Sequence, residues 1–188
     1  MLIGIAGGIG SGKSVVSRIL YVMGYPVYDC DSRAKAIMDA DPAIHRSLRE
    51  QIHELAVVEG IVDRRLISEI VFSDSQALAR LNSIVHSAVF RDLEHWCRAQ
   101  SASKLFVESA IFVSSGLIDR VDDVWEVTAP VELRIERVVK RNGISPEQVA
   151  ARIESQRAEQ LNSFDCKHIV NDGVAALLPQ IHNLLREE

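Results

Sequence analysis

The sequence contains few cysteines, and their arrangement excludes two classes of protein. Only three occur in 188 residues: Cys30, Cys97 and Cys166. They are odd in number, far apart and in no C-x-x-C pair, which argues against a disulfide framework and against a zinc site. The sequence therefore predicts a protein of a reducing compartment, the cytoplasm.

Long apolar runs and an excess of basic residues are also missing. No stretch approaches the roughly 18 apolar residues that a membrane span needs. Glycines interrupt the N-terminal apolar run and no basic segment precedes it, so we expect a strand there and not a signal peptide. With 21 basic and 26 acidic residues the formal charge is −5, which argues against nucleic acid and anionic membranes as partners. A hydrophobic content of 47% is enough to form a globular core. We expect the protein to be a monomer or a weak homo-oligomer.

A glycine-rich stretch follows the first apolar run. Residues 7–14 read Gly-Gly-Ile-Gly-Ser-Gly-Lys-Ser and fit G-x-x-x-x-G-K-[ST], the pattern of a phosphate-binding loop, or P-loop. Its backbone N–H groups and the N-terminus of the next helix attract phosphates. Lys13 is predicted to contact the β- and γ-phosphates of a nucleoside triphosphate, and Ser14 to bind Mg²⁺. The predicted nucleotide contacts in the loop are Gly8, Ile9, Gly10, Ser11, Gly12, Lys13 and Ser14.

Short apolar stretches alternate with helical ones along the chain. The predicted strands are residues 2–6, 27–28, 104–107, 123–128 and 167–170. The first predicted helix spans 15–23, with an apolar side formed by Val15, Ile19, Leu20 and Met23. Later helices are predicted from Pro130 to Arg141, from a capping box at Ser145, and over 174–186.

This alternation predicts an α/β fold of the P-loop NTPase type. We expect a doubly wound, five-stranded parallel sheet with ligands at the carboxyl ends of its strands. Residues 32–100 read as almost entirely helical, with no convincing strand. The expected parts are a nucleotide-binding core (1–31, 103–133 and 167–188), a helical insertion (32–102) and a lid (134–166).

Three acidic residues follow predicted strands. Asp29 and Asp31 are two residues apart, so in extended chain they point to the same side, about 6.5 Å apart. There a carboxylate can accept the proton of an attacking hydroxyl or orient Mg²⁺. The alternative is that Asp31 or Ser32 only caps the next helix. Glu108 ends another predicted strand, where an acid can orient a magnesium-bound water or simply be solvated.

Arginines cluster in the region after Pro130. Arg134, Arg137 and Arg141 share one helix face, and Arg152 and Arg157 follow in the next helix. Such helices are typical of a lid that closes over phosphates, or of a solvated face paired with nearby glutamates. The solvated alternative is favoured for Arg134 and Arg157, whereas Arg137, Arg141 and Arg152 are the candidate lid residues.

Two further residues have ordinary interpretations when they are considered by themselves. His86 lies on a helix with apolar spacing, which favours a packed or capped histidine. Arg64 lies in the stretch Asp63-Arg64-Arg65-Leu66, which reads as a charged helix start.

Taken together and in order, these stretches resemble the dephospho-coenzyme A kinase family. The resemblance runs through the whole chain and depends on residues 7–14, Asp29-Cys30-Asp31, Asp63 to Leu66 with Ile70-Val71-Phe72, Leu81 to His86, Arg141-Asn142-Gly143, Arg152-Ile153 with Gln156, and Asn171-Asp172-Gly173. Two local departures are Glu108-Ser109-Ala110, where the family has Asp-Ile-Pro, and Ser87, where proline usually follows His86.

The resemblance implies ATP-dependent phosphorylation of the ribose 3′-hydroxyl of dephospho-coenzyme A, with Mg²⁺. The helical insertion would hold this acceptor. It implies Asp31 as base or hydroxyl orienter, and Arg137 or Arg141 as the residue that neutralises phosphate charge. Further implied nucleotide contacts are Arg141 and Asn171, and implied substrate contacts are Asp31, Arg64, His86 and Glu108.

The residues alone leave the acceptor open. They indicate a phosphotransferase acting on a small hydroxylic substrate, so another small-molecule or nucleoside kinase of the same fold is the alternative. A guanine-nucleotide switch is disfavoured because the sequence contains no N-K-x-D motif.

Overall fold

The computed structural model describes residues 1–156, 159, 161 and 164–187. Its contacts divide the chain into two compact units. The first unit comprises Met1–Asp29 and Ala102–Glu188, and the second comprises Cys30–Ser101. The P-loop lies in the first unit, and the predicted helical insertion corresponds closely to the second.

A five-stranded parallel sheet forms the centre of the first unit. Its strands are β1 (Leu2–Ala6), β2 (Val27–Asp29), β5 (Leu105–Glu108), β6 (Asp123–Thr128) and β7 (Lys167–Val170). Their spatial order is β2-β5-β1-β6-β7. Ile5 and Asp29 both pair in register with Glu108. The central strand therefore leads into the P-loop at the same edge where Asp29 and Glu108 end their strands.

Four helices accompany this sheet in the described part of the first unit. They are α1 (Lys13–Val22), α6 (Val131–Asn142), α7 (Pro146–Ser155) and α8 (Leu177–Arg186). The predicted capping box is confirmed: the Ser145 side chain accepts from the N–H of Gln148, and the Gln148 side chain accepts from the N–H of Ser145. Two backbone donors at the start of α7 are thereby satisfied.

Two predicted helices differ from the observed ones. The helix α1 begins at Lys13 and buries Val16 and Leu20, whereas Val15, predicted on the apolar side, is 50% exposed. The predicted helix 174–186 begins only at Leu177. The Asp172 side chain accepts from two backbone N–H groups that follow it, and this Asx turn replaces the first helical turn.

The core of the first unit lies between the sheet and its helices. Phe106 and Trp125 are fully buried and meet edge to face, with ring centroids 5.1 Å apart. Tyr25 packs edge-on against Phe106 at 5.6 Å. The buried cluster consists of Ile3, Ile5, Val16, Leu20, Phe106, Trp125, Val127, Ile169, Ile181 and Leu184. This packing fixes β1 and α1, the two elements that the P-loop connects.

The second unit is mainly helical, as predicted, but it also contains a hairpin that the sequence did not indicate. Its helices are α2 (Cys30–Ala40), α3 (Pro42–Gln51), α4 (Arg64–Ser73) and α5 (Ser75–Arg98), and the hairpin strands are β3 (Val57–Val58) and β4 (Ile61–Val62). Each strand has two residues, too few for an alternating pattern. The turn also uses a positive φ of 52° at Glu59, a residue type that rarely adopts one.

The helices of the second unit pack on a core of their own. Its buried cluster consists of Ile44, Leu48, Ala56, Val57, Ile67 and Ala88. Among the described residues, no helix combines the length and the apolar character that crossing a membrane requires.

The contact between Gly4 and Phe112 gives a stability prediction. Gly4 lies in β1, and a methyl group at this position would collide with the buried Phe112 ring. We expect Gly4→Ala to lower the free energy of unfolding by about 1–3 kcal/mol, because the packed ring must shift. Urea denaturation measures this loss.

A double variant tests whether that contact is the cause. In Gly4→Ala/Phe112→Leu the smaller side chain makes room for the methyl group, so the combined loss should be smaller than the sum of the two single losses. A strictly additive loss would contradict the explanation.

Candidate active site

The P-loop connects β1 to α1, and its backbone depends on Gly12. This residue caps the N-terminus of α1 with a φ of 100°, a value that side chains disfavour. A Cβ here would also collide with the Asn171 side-chain nitrogen. The next two residues, Lys13 and Ser14, lie in the first turn of α1, where backbone N–H groups have no partner within the helix. The N-terminus of α1 therefore suits an anion.

Side chains hold several P-loop carbonyl groups. Lys13 Nζ donates to the carbonyl oxygen of Gly7 at 2.6 Å, and Asn171 Nδ2 donates to that of Ser11 at 2.8 Å. The side chain of Ser11 is buried, and its hydroxyl has no partner among the described residues. Ser11 therefore takes part in the loop through its backbone. Carbonyl oxygens held in this way do not compete with the amides for the space where an anion would bind.

Arg134 was predicted to be a solvated residue, and that prediction is wrong. Its Nε donates to the carbonyl oxygen of Ile9 at 2.9 Å. Its guanidinium lies so close to Gly8 that a Cβ there would collide with it. Burial lowers the pKa of Arg134, and the Glu126 carboxylate opposes that shift. The sequence pattern suggested a surface arginine. Arg134 is partly buried only because α6 packs against the P-loop, and the sequence pattern does not reveal that contact.

Arg137 lies one turn further along α6 and holds Asn171. Its Nη2 donates to the backbone oxygen of Asn171 at 3.0 Å and to the side-chain oxygen at 3.3 Å. Asn171 follows β7, and its N–H donates to Thr128 at 2.8 Å. Two predicted site residues, Arg137 and Asn171, are thus brought together beside the P-loop.

Ser14 and Glu108 form a second pair at this edge of the sheet. Ser14 Oγ donates to Glu108 Oε1 at 3.0 Å. The sequence predicted one of these residues to bind a metal ion and the other to orient a metal-bound water. Their oxygens are of the hard type that Mg²⁺ prefers.

The remaining candidate lid residues lie on the surface. Arg141 and Arg152 are exposed, and Arg141 Nε donates to the Asn142 side chain at 2.9 Å. Arg157 lies outside the described residues. The end of α7 nevertheless reaches the P-loop, because Gln156 Oε1 accepts from the N–H of Ile9 at 2.7 Å.

Glu159 is a residue that the sequence interpretation missed. Its carboxylate accepts from the N–H of Val113 at 2.7 Å and from that of Ser114 at 3.2 Å. These amides belong to the segment after Glu108. No motif indicated this contact, since it joins two loops 45 residues apart.

The second unit contains the other predicted site residues, beginning with Asp31. The strand β2 ends at Asp29 and α2 begins at Cys30, so Asp31 lies in the first helical turn. The predicted extended geometry, with both aspartates on one side, is therefore wrong. Because α2 begins one residue after Asp29, Asp31 no longer follows the alternation of side chains along a strand.

Arg64 and His86 lie on two different helices of that unit. Arg64 Nη2 donates to Asp39 Oδ1 at 2.8 Å and to the Lys35 carbonyl oxygen at 3.3 Å, so it links α4 to α2. The His86 ring lies 6.4 Å from that of Phe90, one turn along α5. That contact agrees with the interpretation of a packed histidine.

A cleft of about 460 Å³ lies between α2 and α5. Arg33 spans its wall and donates to both carboxylate oxygens of Asp92, at 2.8 and 2.6 Å. Arg91, His95 and Ile37 also line the cleft. It therefore combines charged groups of both signs, including Asp41 and Asp92, with apolar surface.

Comparisons with known proteins show the family of this chain. The family model described as dephospho-CoA kinase matches residues 1–176. A Bacteroides fragilis protein named dephospho-CoA kinase is 39% identical over 185 residues, covering 97% of this chain and 90% of its own. A solved structure from Thermus thermophilus has a TM-score of 0.83 at 33% identity, covering 100% of this chain and 95% of its own. The Campylobacter jejuni dephospho-CoA kinase has a TM-score of 0.70 at 25% identity, covering 99% of this chain and 96% of its own. This chain belongs to the dephospho-CoA kinase family.

Proposed function

We propose that the chain transfers the γ-phosphoryl group of ATP to the ribose 3′-hydroxyl of dephospho-coenzyme A, giving coenzyme A and ADP. The observation that carries this proposal is the P-loop at the carboxyl end of β1, with Lys13 folded over it, in a chain of this family. Phosphoryl transfer depends mainly on positioning and on neutralising charge. A loop of backbone amides with one lysine can supply both.

Lys13 and the α1 amides bind the triphosphate in this proposal. Lys13 Nζ now bonds to Gly7 within the loop, and its flexible stem allows the ammonium group to turn to the β- and γ-phosphates. The amides of the first turn of α1 carry partial positive charge toward the same place. Together they stabilise the negative charge that spreads over the transferred group.

The pair Ser14 and Glu108 fits the magnesium ion that this reaction uses. Among the described residues, no group of three or more His, Cys, Asp and Glu side chains could hold a metal. That is the expected situation for Mg²⁺, which binds one or two protein oxygens together with substrate phosphates. When bound, Mg²⁺ would neutralise phosphate charge. Ser14 would supply a ligand, and Glu108 would orient it or a coordinated water.

Asp31 and Arg141 complete the proposed machinery. We assign Asp31 the role of accepting the proton of the 3′-hydroxyl or orienting that hydroxyl. Arg141, exposed in the last turn of α6, would approach the phosphates when the lid closes. Arg137 would add charge beside the loop and hold Asn171 in place.

The second unit is the proposed acceptor domain. Dephospho-coenzyme A contains a diphosphate and a long, partly apolar arm. Beside the Arg33–Asp92 pair, the cleft between α2 and α5 offers Arg91 and His95 to an anion and Ile37 to an apolar group. Arg64 and His86 are proposed to contact the same substrate.

The cysteines support a cytoplasmic location. Cys30, Cys97 and Cys166 form no disulfide within the described part of the chain. Burial raises the pKa of the Cys97 and Cys166 thiols, so fewer thiolates form at neutral pH. A buried or weakly ionised thiol suits a protein that uses none of its cysteines for chemistry.

Release of ADP tests the proposed reaction directly. With Mg-ATP, dephospho-coenzyme A should stimulate ADP release strongly and yield a 3′-phosphorylated product, whereas a panel of nucleosides, sugars and shikimate should not. Lys13→Met should lower kcat about a hundred-fold or more, because an important charge partner of the transferred group is lost. Lys140→Met, at an exposed position of α6, is the matched control and should behave as wild type. If only another acceptor stimulates ADP release, the chain is a kinase for that acceptor, and dephospho-coenzyme A is not its substrate.

Asp31→Asn tests the proposed base. We expect a fall in kcat of about a hundred-fold with little change in the affinity for ATP, since general base catalysis contributes about 10²–10⁴. Steady-state kinetics and ADP titration separate the two effects. Asp29→Asn is the matched comparison, and a larger loss of kcat in that variant would assign the role to Asp29 instead.

Glu108→Gln tests the proposed magnesium contact. The amide keeps the size of the side chain but loses its charge, so the Mg²⁺ concentration for half-maximal activity should rise about ten-fold or more. Activity measured against Mg²⁺ at fixed ATP gives this value. An unchanged Mg²⁺ requirement with a raised KM for dephospho-coenzyme A would place Glu108 at the acceptor instead.

A further inference from the structure

The peptide groups around Ile9 are bonded on both sides by residues outside the P-loop. The N–H of Ile9 donates to Gln156 Oε1 at 2.7 Å. Its carbonyl oxygen accepts from Arg134 Nε at 2.9 Å. Both bonds are partly buried, and the two side chains come from different places: Gln156 follows α7 directly, and Arg134 lies in the first half of α6. Ile9 is therefore fixed by two independent contacts.

The residues on either side of Ile9 need such anchors. Gly8 and Gly10 flank it, and glycine backbones have more conformational freedom than any others. Ordering a residue costs conformational entropy. Bonds that hold the loop before a ligand arrives remove that cost from the binding step.

Arg134 contacts three successive residues of the loop. Its guanidinium lies against Gly8, its Nε bonds to Ile9, and its backbone packs against Gly10, where an added Cβ would lie 2.6 Å from the Arg134 carbonyl oxygen. A side chain that served only as a surface charge would not make these contacts. The geometry is that of a support for the loop.

We propose that Arg134 and Gln156 are positioning residues for nucleotide binding, which fix the Ile9 peptides and thereby orient the later P-loop amides toward the phosphates. In this role both residues act through the loop backbone, since Nε of Arg134 and Oε1 of Gln156 are bonded to the Ile9 peptide groups. This inference rests on the proposed function only in that the P-loop binds a nucleotide.

The affinity for Mg-ADP tests the proposal. Calorimetric titration is made with Gln156→Leu, which removes the acceptor at similar size, and with Arg134→Met, which removes the donor. Each variant should bind ADP about ten-fold or more weakly, because the conformational entropy of ordering the loop would then be lost in the binding step. Lys140→Met removes an exposed cation from the same helix and should match wild type.

Two further measurements separate positioning from a general structural role. The KM for dephospho-coenzyme A and the thermal midpoint of the free protein should change little, because the second unit and the sheet core do not include these bonds. The double variant Arg134→Met/Gln156→Leu should lose less affinity than the sum of the single losses, since both residues act through the same residue, Ile9.

The outcomes distinguish this proposal from the proposed function. Unchanged ADP affinity, or an equal loss of ADP and dephospho-coenzyme A affinity, would overturn the positioning role. If Gln156→Leu does not fold, Gln156→Asn provides the same test, because its shorter side chain does not reach Ile9. ADP titration requires no acceptor, so failure of dephospho-coenzyme A as a substrate would leave this result valid.

Discussion

The site depends on one electrostatic constraint: a loop that binds phosphate must turn its backbone N–H groups toward the ligand and its carbonyl oxygens away. Every peptide has both groups, so the unwanted oxygens need partners. Here Lys13, Arg134 and Asn171 provide them. Lys13 and Arg134 also raise the positive potential around the loop, so these two side chains both orient the backbone and attract the anion.

The elements that supply these partners are fixed by the sheet. The core beneath β1, β6 and β7 is tightly packed, with Trp125 and Ile169 fully buried. Asn171 follows β7 directly, and the chain from β6 leads through Pro130 into α6. Because parallel strands end at one edge, groups from distant parts of the sequence reach the same loop. The chemistry of the loop is thus a consequence of strand order.

The sequence predicted the features that depend on local pattern. The P-loop, the capping box at Ser145 and the ranges of β6 and β7 follow from spacing and residue type. It did not predict the environment of Arg134, because an arginine on an amphipathic helix has the same pattern whether it meets solvent or a neighbouring backbone. The bond of Gln156 to Ile9 spans 147 residues, and no periodicity encodes such a pairing. The helical start at Cys30 was missed because local spacing did not distinguish strand continuation from a helix boundary.

The anchors on α6 and after α7 also limit how the arginine helices can move. Arg134 and Arg137 tie the first half of α6 to the core, and Gln156 and Glu159 tie the chain beyond α7. If the proposed lid closure keeps these bonds, it must be a rotation of the far ends of α6 and α7, while the bonded start of α6 and the bonded residues after α7 stay in place. Arg141 lies about 6 Å along the axis from Arg137, at 1.5 Å per residue. A rotation of about 20° then moves the Arg141 backbone by only about 2 Å. In the proposed closure, most of the distance between the Arg141 guanidinium and the phosphates must therefore be covered by the long, flexible Arg141 side chain.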